Sequence, residues 1–288
     1  MPVQTFGYPG FEEPGSLLGP LYVTLLNDKV YVQEIFNRIV VFDRTGRFLS
    51  QKRMPEFYYP EFPLRVLDDQ HIVVASTDIR EPCSDPLGKP CKETRTVSIL
   101  DTSFTHVKGR FGFYPTLYFE KNLATRAPRI DVNANRRIAA VGYSLSPEIQ
   151  IYALSDTGGV FLKSVYFQHP EWHSPNEDIP ANLAINDRKK WESLMLRTSQ
   201  TFEVFFVADT LILAFFANKK SDYYSMKGWD DSKIEPHGVL VSLSGAWQQA
   251  LELPGPVLGR DEAFHLYIRL SDEPDRRLIG RFRVEVRR

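Results

Sequence analysis

Two histidines four positions apart, in His169-Pro170-Glu171-Trp172-His173, come nearest to a metal-binding spacing in this chain. On a helix such a pair shares a face and can hold zinc, but Pro170 argues against a helix there. His237, Asp222 and Asp230 could join His169 and His173 in a zinc or calcium site, zinc through imidazole and carboxylate, calcium through oxygens. Unliganded surface histidines are the default, so no cofactor is expected, with calcium or zinc as the alternative. A second group consists of aromatics beside polar residues: Tyr58, Tyr59, Tyr114, Trp172, Tyr223, Tyr224 and Trp229, with Arg80, Glu171, Asp222, Asp230 and Asp231 nearby. Flat apolar rings with a hydrogen-bonding tip suit sugars or peptide segments, and equally suit anchoring long loops. Cys83 and Cys91 stand eight positions apart in a segment rich in proline and glycine, close enough for a local disulfide. Unpaired thiols in a reducing compartment are the other reading, and two cysteines alone do not complete a zinc site. The nucleophile elbow, the P-loop and the dinucleotide fingerprint are all missing from the sequence, so it nominates no catalytic residue.

The elements that must position these residues are strands. Asn27-Asp28-Lys29-Val30-Tyr31-Val32, followed by Arg38-Ile39-Val40-Val41-Phe42-Asp43-Arg44-Thr45-Gly46-Arg47-Phe48-Leu49, alternates apolar strands with turns that need Asp and Gly. The same grammar returns around Asp69, Asn135, Asp209 and Asp261 at irregular intervals. This predicts an all-β fold, a β-propeller of four-stranded antiparallel blades with five repeats visible and six possible, over one domain of residues 1–288. Inner strands are predicted near 21–25, 64–66, 129–132, 201–207 and 257–258. The fifth repeat ends one strand short, and Val3-Gln4-Thr5-Phe6-Gly7-Tyr8-Pro9 is expected to supply it, closing the ring by pairing with the C-terminal blade. The segment 186–197 lacks Gly and Pro and places Trp191, Leu194 and Met195 at helical spacing, with Asn186 or Asp187 as its cap.

In such blades the turns joining first to second and third to fourth strands emerge on one face of the disc. Those turns are short here, whereas 53–63, 77–95, 109–128, 168–199 and 217–237 all belong to the opposite face. Long loops on a rigid frame gather binding groups, so the long-loop face is nominated. Asp43, Asp101 and Asp156 recur at turns and are read as turn-forming.

Composition narrows the partners. Thirty-five basic and 36 acidic residues give a net charge of -1, which supplies no field for collecting phosphate backbones, so nucleic acid is not expected. The longest apolar run, 202–216, is broken by Glu203 and Asp209 and is too short to span a bilayer. No signal peptide is legible at the N-terminus.

The stretch Phe6-Gly7-Tyr8-Pro9-Gly10-Phe11-Glu12-Glu13-Pro14-Gly15, with the strand pair 30–32 and 38–49, resembles a bacterial six-bladed β-propeller family related to NHL-repeat proteins. That family carries a glycine-rich G-x-x-G-x-G-P-G-E-like element before such a pair. Glu13 and Ser16 depart from the pattern, and beyond about residue 50 only the strand grammar persists. The resemblance implies a periplasmic, secreted or lipid-anchored protein and carries no catalytic residue across. The expectation is therefore a monomeric extracytoplasmic module that binds a protein, peptide or glycan on its long-loop face. The alternative is a metal-dependent propeller hydrolase or lyase of the lactonase kind, whose acids would converge on the central channel from several blades.

Overall fold

The computed structural model describes residues 7–9, 13–54, 63–76, 92–124, 128–180, 182–225, 228–229, 233–271 and 278–285. A short parallel pair, β1 (Tyr8–Pro9) and β2 (Ser16–Leu17), precedes the blades. The first blade is β3 (Pro20–Leu26), β4 (Lys29–Glu34), β5 (Arg38–Asp43) and β6 (Phe48–Arg53). The second is β7 (Arg65–Val66), β8 (His71–Ala75), β9 (Val97–Asp101) and β10 (Val107–Phe111), followed by helix α1 (Thr116–Glu120). The third is β11 (Arg129–Asn133), β12 (Ile138–Gly142), β13 (Glu148–Ser155) and β14 (Gly158–Tyr166), followed by α2 (Leu183–Asn186) and α3 (Arg188–Leu196). In the fourth, β15 (Gln200–Ala208) and β16 (Leu211–Lys219) are separated by a small ribbon, β17 (Tyr224–Ser225) and β18 (Gly228–Trp229), from β19 (Ile234–Ser242) and β20 (Gln248–Glu252). The fifth has three described strands, β21 (Val257–Arg260), β22 (Leu266–Arg269) and β23 (Ile279–Phe282). All five blades are antiparallel meanders of neighbouring strands.

Alternation explains why the central strands read as continuous apolar runs: the second, third and fourth blades are covered on both faces. Ile72 and Val74 of β8 point into the core shared with Leu26, Tyr31, Ile39 and Val41 of the first blade. Val73 and Ala75, one position along, join Ile130, Val132, Ala139 and Val141 of the third. Ala140 and Ile149 then meet Val204, Phe206, Ile212 and Phe216 of the fourth blade, whose Leu213 and Phe215 turn to Val257, Leu266 and Ile268 of the fifth. The inner strand β3 differs from the others. Its Leu21, Val23 and Leu25, on the side away from the second blade, are 40%, 63% and 57% exposed.

Three features correct or limit the expectations. Tyr8 and Pro9 pair in parallel with Ser16 and Leu17, not with the fifth blade, and residues 3–6 of the expected closing strand lie outside the described residues. Five blades are found among the described residues, where the resemblance implies six. The turn between the third and fourth strands of the second blade is longer than the tight turns expected there: Phe104 takes a left-handed φ of 63° in a turn bonded to Asp101, and the fourth strand begins only at Val107. The helix expected at 186–197 forms as α3; its cap is Asp187, which accepts from the Lys190 N–H at 3.0 Å, and Trp191, Leu194 and Met195 are buried.

Candidate functional site

The first-to-second and third-to-fourth strand connections among the described residues are short turns, and they emerge together on one face of the disc. Among the described residues a shallow, open cleft of about 450 Å³ lies on the tight-turn face, between the second and third blades, and is lined by Asp68, Asp69, Gln70, His71, Arg137 and Asp156. Asp68 and His71 come from the β7–β8 turn, Arg137 from β11–β12 and Asp156 from β13–β14. The Asp68 carboxylate shapes its own turn by accepting the Gln70 and His71 N–H groups, both at 2.9 Å. The same oxygen lies 2.8 Å from His71 Nδ1. Arg137, held at a left-handed φ of 50°, donates to Asp68 at 2.9 Å and to Asp156 at 2.5 Å. Burial pushes the Asp68 carboxyl up, but the Gln70, His71 and Arg137 bonds outweigh it and hold the group below the ordinary carboxylate range. Asp68, His71 and Asp156 present ligand atoms within 4.8 Å of one another. The cation between the two carboxylates is already Arg137.

A second charged group lies on the inner strands. Asp131 of β11 is 1% exposed; its side chain accepts from Arg260 of β21 at 2.6 Å and from the Phe206 N–H of β15 at 2.8 Å, and it pairs with Arg65 of β7 at 3.1 Å. Arg65 also donates to Ile130 O and reaches Glu203 of β15 at 3.8 Å, while Arg260 donates to Val132 O at 2.7 Å. Burial pushes the Glu203 carboxyl up, against the pull of Arg129 and Arg65. Four blades thus send charged groups to the centre of the disc, and both Asp131 oxygens are engaged by guanidinium. The first blade has its own buried pair, Glu34 with Arg38, which also donates to Ser16 O.

The residues nominated on the long-loop face are dispersed. Tyr58, Tyr59, Cys83 and Cys91 lie outside the described residues, as do Arg80, Asp230 and Asp231. Tyr114 is 2% exposed and packs at a tilt against Tyr118 of α1 and Tyr143, so its ring serves the core. Tyr223 is 4% exposed and meets Tyr224 edge to face at 4.9 Å, with Lys219 Nζ 5.5 Å and 6.0 Å from the two ring centroids. Trp229 is described only in its backbone pairing with Tyr224. Trp172 is half-buried against Phe167 and Phe216 and donates to Ser174 Oγ at 3.0 Å. His169 and His237 do come together, with ring centroids 5.1 Å apart, while His173 is exposed and Asp222 pairs instead with Lys233 at 3.1 Å. Helices α1 and α3 fold over the disc here, and Tyr118, Trp191, Leu194 and Met195 join the core between the second and third blades.

No family model matches the chain, and no curated protein matches it. Solved structures do. A member of the DUF4221 family from Bacteroides vulgatus is similar with a TM-score of 0.57 at 10% identity, over 92% of this chain and 75% of that one. A protein of Bacteroides fragilis, provisionally described as exported, is similar with a TM-score of 0.53 at 11% identity, over 92% of this chain and 70% of its own. At these identities the likeness shows the fold alone.

The sequence alone does not mark the cleft, since Asp156 reads there as turn-forming. A signal was present: Asp68-x-x-His71 and Asp261-x-x-x-His265 both place a histidine just past an aspartate at the first hairpin of a blade. In the fifth blade that pattern gives the same contact, Asp261 to His265 Nδ1 at 3.1 Å, with Arg281 at 2.9 Å in the role of Arg137.

Proposed function

We propose that this chain is a recognition module without catalytic chemistry, that it works outside the cytoplasm, and that it takes a basic segment of a protein or peptide partner in the cleft between the second and third blades. The observation that carries this reading is Arg137. Its guanidinium already bridges Asp68 and Asp156, so these carboxylates act as acceptors for planar cations and not as an acid–base pair. With Asp69 exposed at the rim, three carboxylates face one arginine, and a lysine or arginine from a partner completes the balance. The long-loop face, expected to carry the ligand, has its described aromatics largely committed to anchoring, which moves the reading to the opposite face. The resemblance and the provisional description of the Bacteroides fragilis neighbour support an extracytoplasmic setting. Among the described residues no helix is long and apolar enough to cross a membrane.

A second reading, a metal-dependent hydrolase or lyase, has two observations on its side: the close approach of Asp68, His71 and Asp156, and the arrival of Asp131 and Glu203 at the centre of the disc, where guanidinium groups already hold them. Titrating a fluorescent lysine- and arginine-rich peptide, and its glutamate-substituted counterpart, into the protein separates the two. The basic peptide is expected to bind, more weakly at higher salt, and Asp69→Asn with Asp156→Asn is expected to weaken it. Equal binding of both peptides, or no effect of the substitutions, rejects the reading. Stoichiometric zinc or calcium retained by Asp68, His71 and Asp156 would favour the second.

A further inference from the structure

The His169–His237 pair lies outside the cleft. His237, on β19, stacks on Phe216 with centroids 5.0 Å apart and planes at 24°, its register partner across β16. His169, in the segment after β14, meets the edge of the same ring at 5.1 Å, and Trp172 meets it at 5.2 Å. The segment is stapled down by neutral hydrogen bonds. Ser199 Oγ accepts the His173 N–H at 2.7 Å and donates to Asn218 Oδ1 at 2.5 Å, while Asn218 Nδ2 donates to Glu171 O at 2.9 Å.

Both imidazoles are placed to be neutral. His169 Nδ1 accepts the Glu171 N–H at 3.1 Å, so its remaining proton sits on Nε2 and a second one must go to Nδ1. That turns the acceptor into a donor facing a donor. The same tautomer argues against a metal on His169 Nε2, which the sequence had left open as an alternative. The buried His237 Nε2 has no hydrogen-bond partner, and a charged His237 would present an N–H there with no acceptor. Two imidazolium rings about 5 Å apart would also repel.

We propose that this pair is an acid-operated latch: at neutral pH it clamps the segment 168–176 onto the fourth blade, and protonation releases the segment and uncovers Phe167, Phe216 and Trp172. The charged and titratable neighbours are Glu171 and His173 on the segment, Glu235 on β19 and Glu252, opposite His237 on β20. Burial is the first cause that lowers both histidines; for His169 the charge of His237 adds to it and Glu171 opposes, and for His237 Glu235 and Glu171 oppose while His173 adds. A histidine lowered in the closed form binds fewer protons there than in the open one. Closure is therefore favoured above the ordinary imidazole value of about 6.5 and is lost as pH falls below it.

Hydrogen exchange of the amides at 168–176, corrected for intrinsic rate, tests the latch at about pH 7.5 and about pH 5. The wild type is expected to exchange about tenfold faster at the lower pH, because the open form takes up protons that the closed form resists, with β15 and β16 unchanged. His237→Phe keeps the stack on Phe216 but removes one of the two titrating rings, so its acceleration is expected to be clearly smaller than that of the wild type. A pH-independent wild type, or an equal acceleration in His237→Phe, overturns the proposal. If that variant folds poorly, an NMR titration of the wild-type imidazoles decides: midpoints below about 6.5 support the latch and midpoints at or above it reject it.

Discussion

Arg260, on the inner strand of the fifth blade, donates from Nε to the Asp131 carboxylate on the inner strand of the third at 2.6 Å, across 129 residues of chain. The opposite oxygen of Asp131 pairs with Arg65, from the second blade. One carboxylate thereby joins blades that share no strand.

Asp131→Ala leaves two largely buried guanidiniums and the Phe206 N–H without their common acceptor. The expected loss is about 3–5 kcal/mol, since breaking a buried pair strands its partners. Urea denaturation followed by far-ultraviolet circular dichroism checks it; a loss below about 1 kcal/mol would mean the arginines find other acceptors.

Two glycines sit where backbones nearly touch. A Cβ on Gly109 would stand 1.8 Å from Thr157 O, and one on Gly255 1.9 Å from Arg269 O, whereas Gly259 has nothing within 4 Å. Gly109→Ala and Gly255→Ala should each cost about 1–3 kcal/mol, and Gly259→Ala close to nothing, in the same denaturation assay.

Tyr143 is fully buried, and its hydroxyl shares a hydrogen bond of 2.8 Å with Thr96 Oγ1. Tyr143→Phe should cost about 1–2 kcal/mol. Burial, partly offset by the Thr96 bond, pushes this phenol well above its ordinary value. Stability is untouched below about pH 10 and falls as the pH climbs past it, because the unfolded chain releases protons that the folded one keeps. An alkaline titration should therefore show the Tyr143 phenolate band only together with loss of circular dichroism.

The turn aspartates Asp43, Asp68, Asp101 and Asp261 are all held below the ordinary carboxylate range and contribute to the acid limb. Asp43 is held down to about 2, first by the Thr45 hydroxyl and then by the Arg47 and Thr45 backbone and the Arg47 side chain, against a desolvation that raises it. For Asp101 burial acts upward, and the Ser103, His106 and Thr105 bonds overcome it, again to about 2. A depressed carboxylate stabilises the fold above its unfolded value of about 3.9, and that contribution drains away as pH falls toward about 2. Replacing Asp43 and Asp101 with Asn should partly flatten the acid limb of a pH–stability profile; an unchanged limb would place acid sensitivity elsewhere.

Strand grammar made most of the disc legible beforehand, because apolar runs such as 72–75 and 212–217 are buried on both faces and are ended by Asp, Asn or Gly turns. The split between short turns and long insertions followed from counting strands. What escaped was convergence: Arg65, Asp131, Glu203 and Arg260 are scattered over most of the chain, and nothing local marks them as neighbours. Aromatic loops are ambiguous for a related reason. Tyr114 and Tyr223 have the composition of contact residues, and only their packing against α1, Tyr143 and Lys219 reveals that they hold insertions down. His71 went unremarked because an Asp-x-x-His turn looks like ordinary turn chemistry until Arg137 is placed beside it.

The wet side of β3 bears on colloidal behaviour. Leu21, Val23 and Leu25 put three aliphatic side chains of one strand into water, and like surfaces on separate molecules gain by covering each other. Concentrated solutions should therefore scatter light increasingly as salt suppresses charge repulsion, and Val23→Lys should clear them at little expense to the fold, its side chain being already largely in solvent.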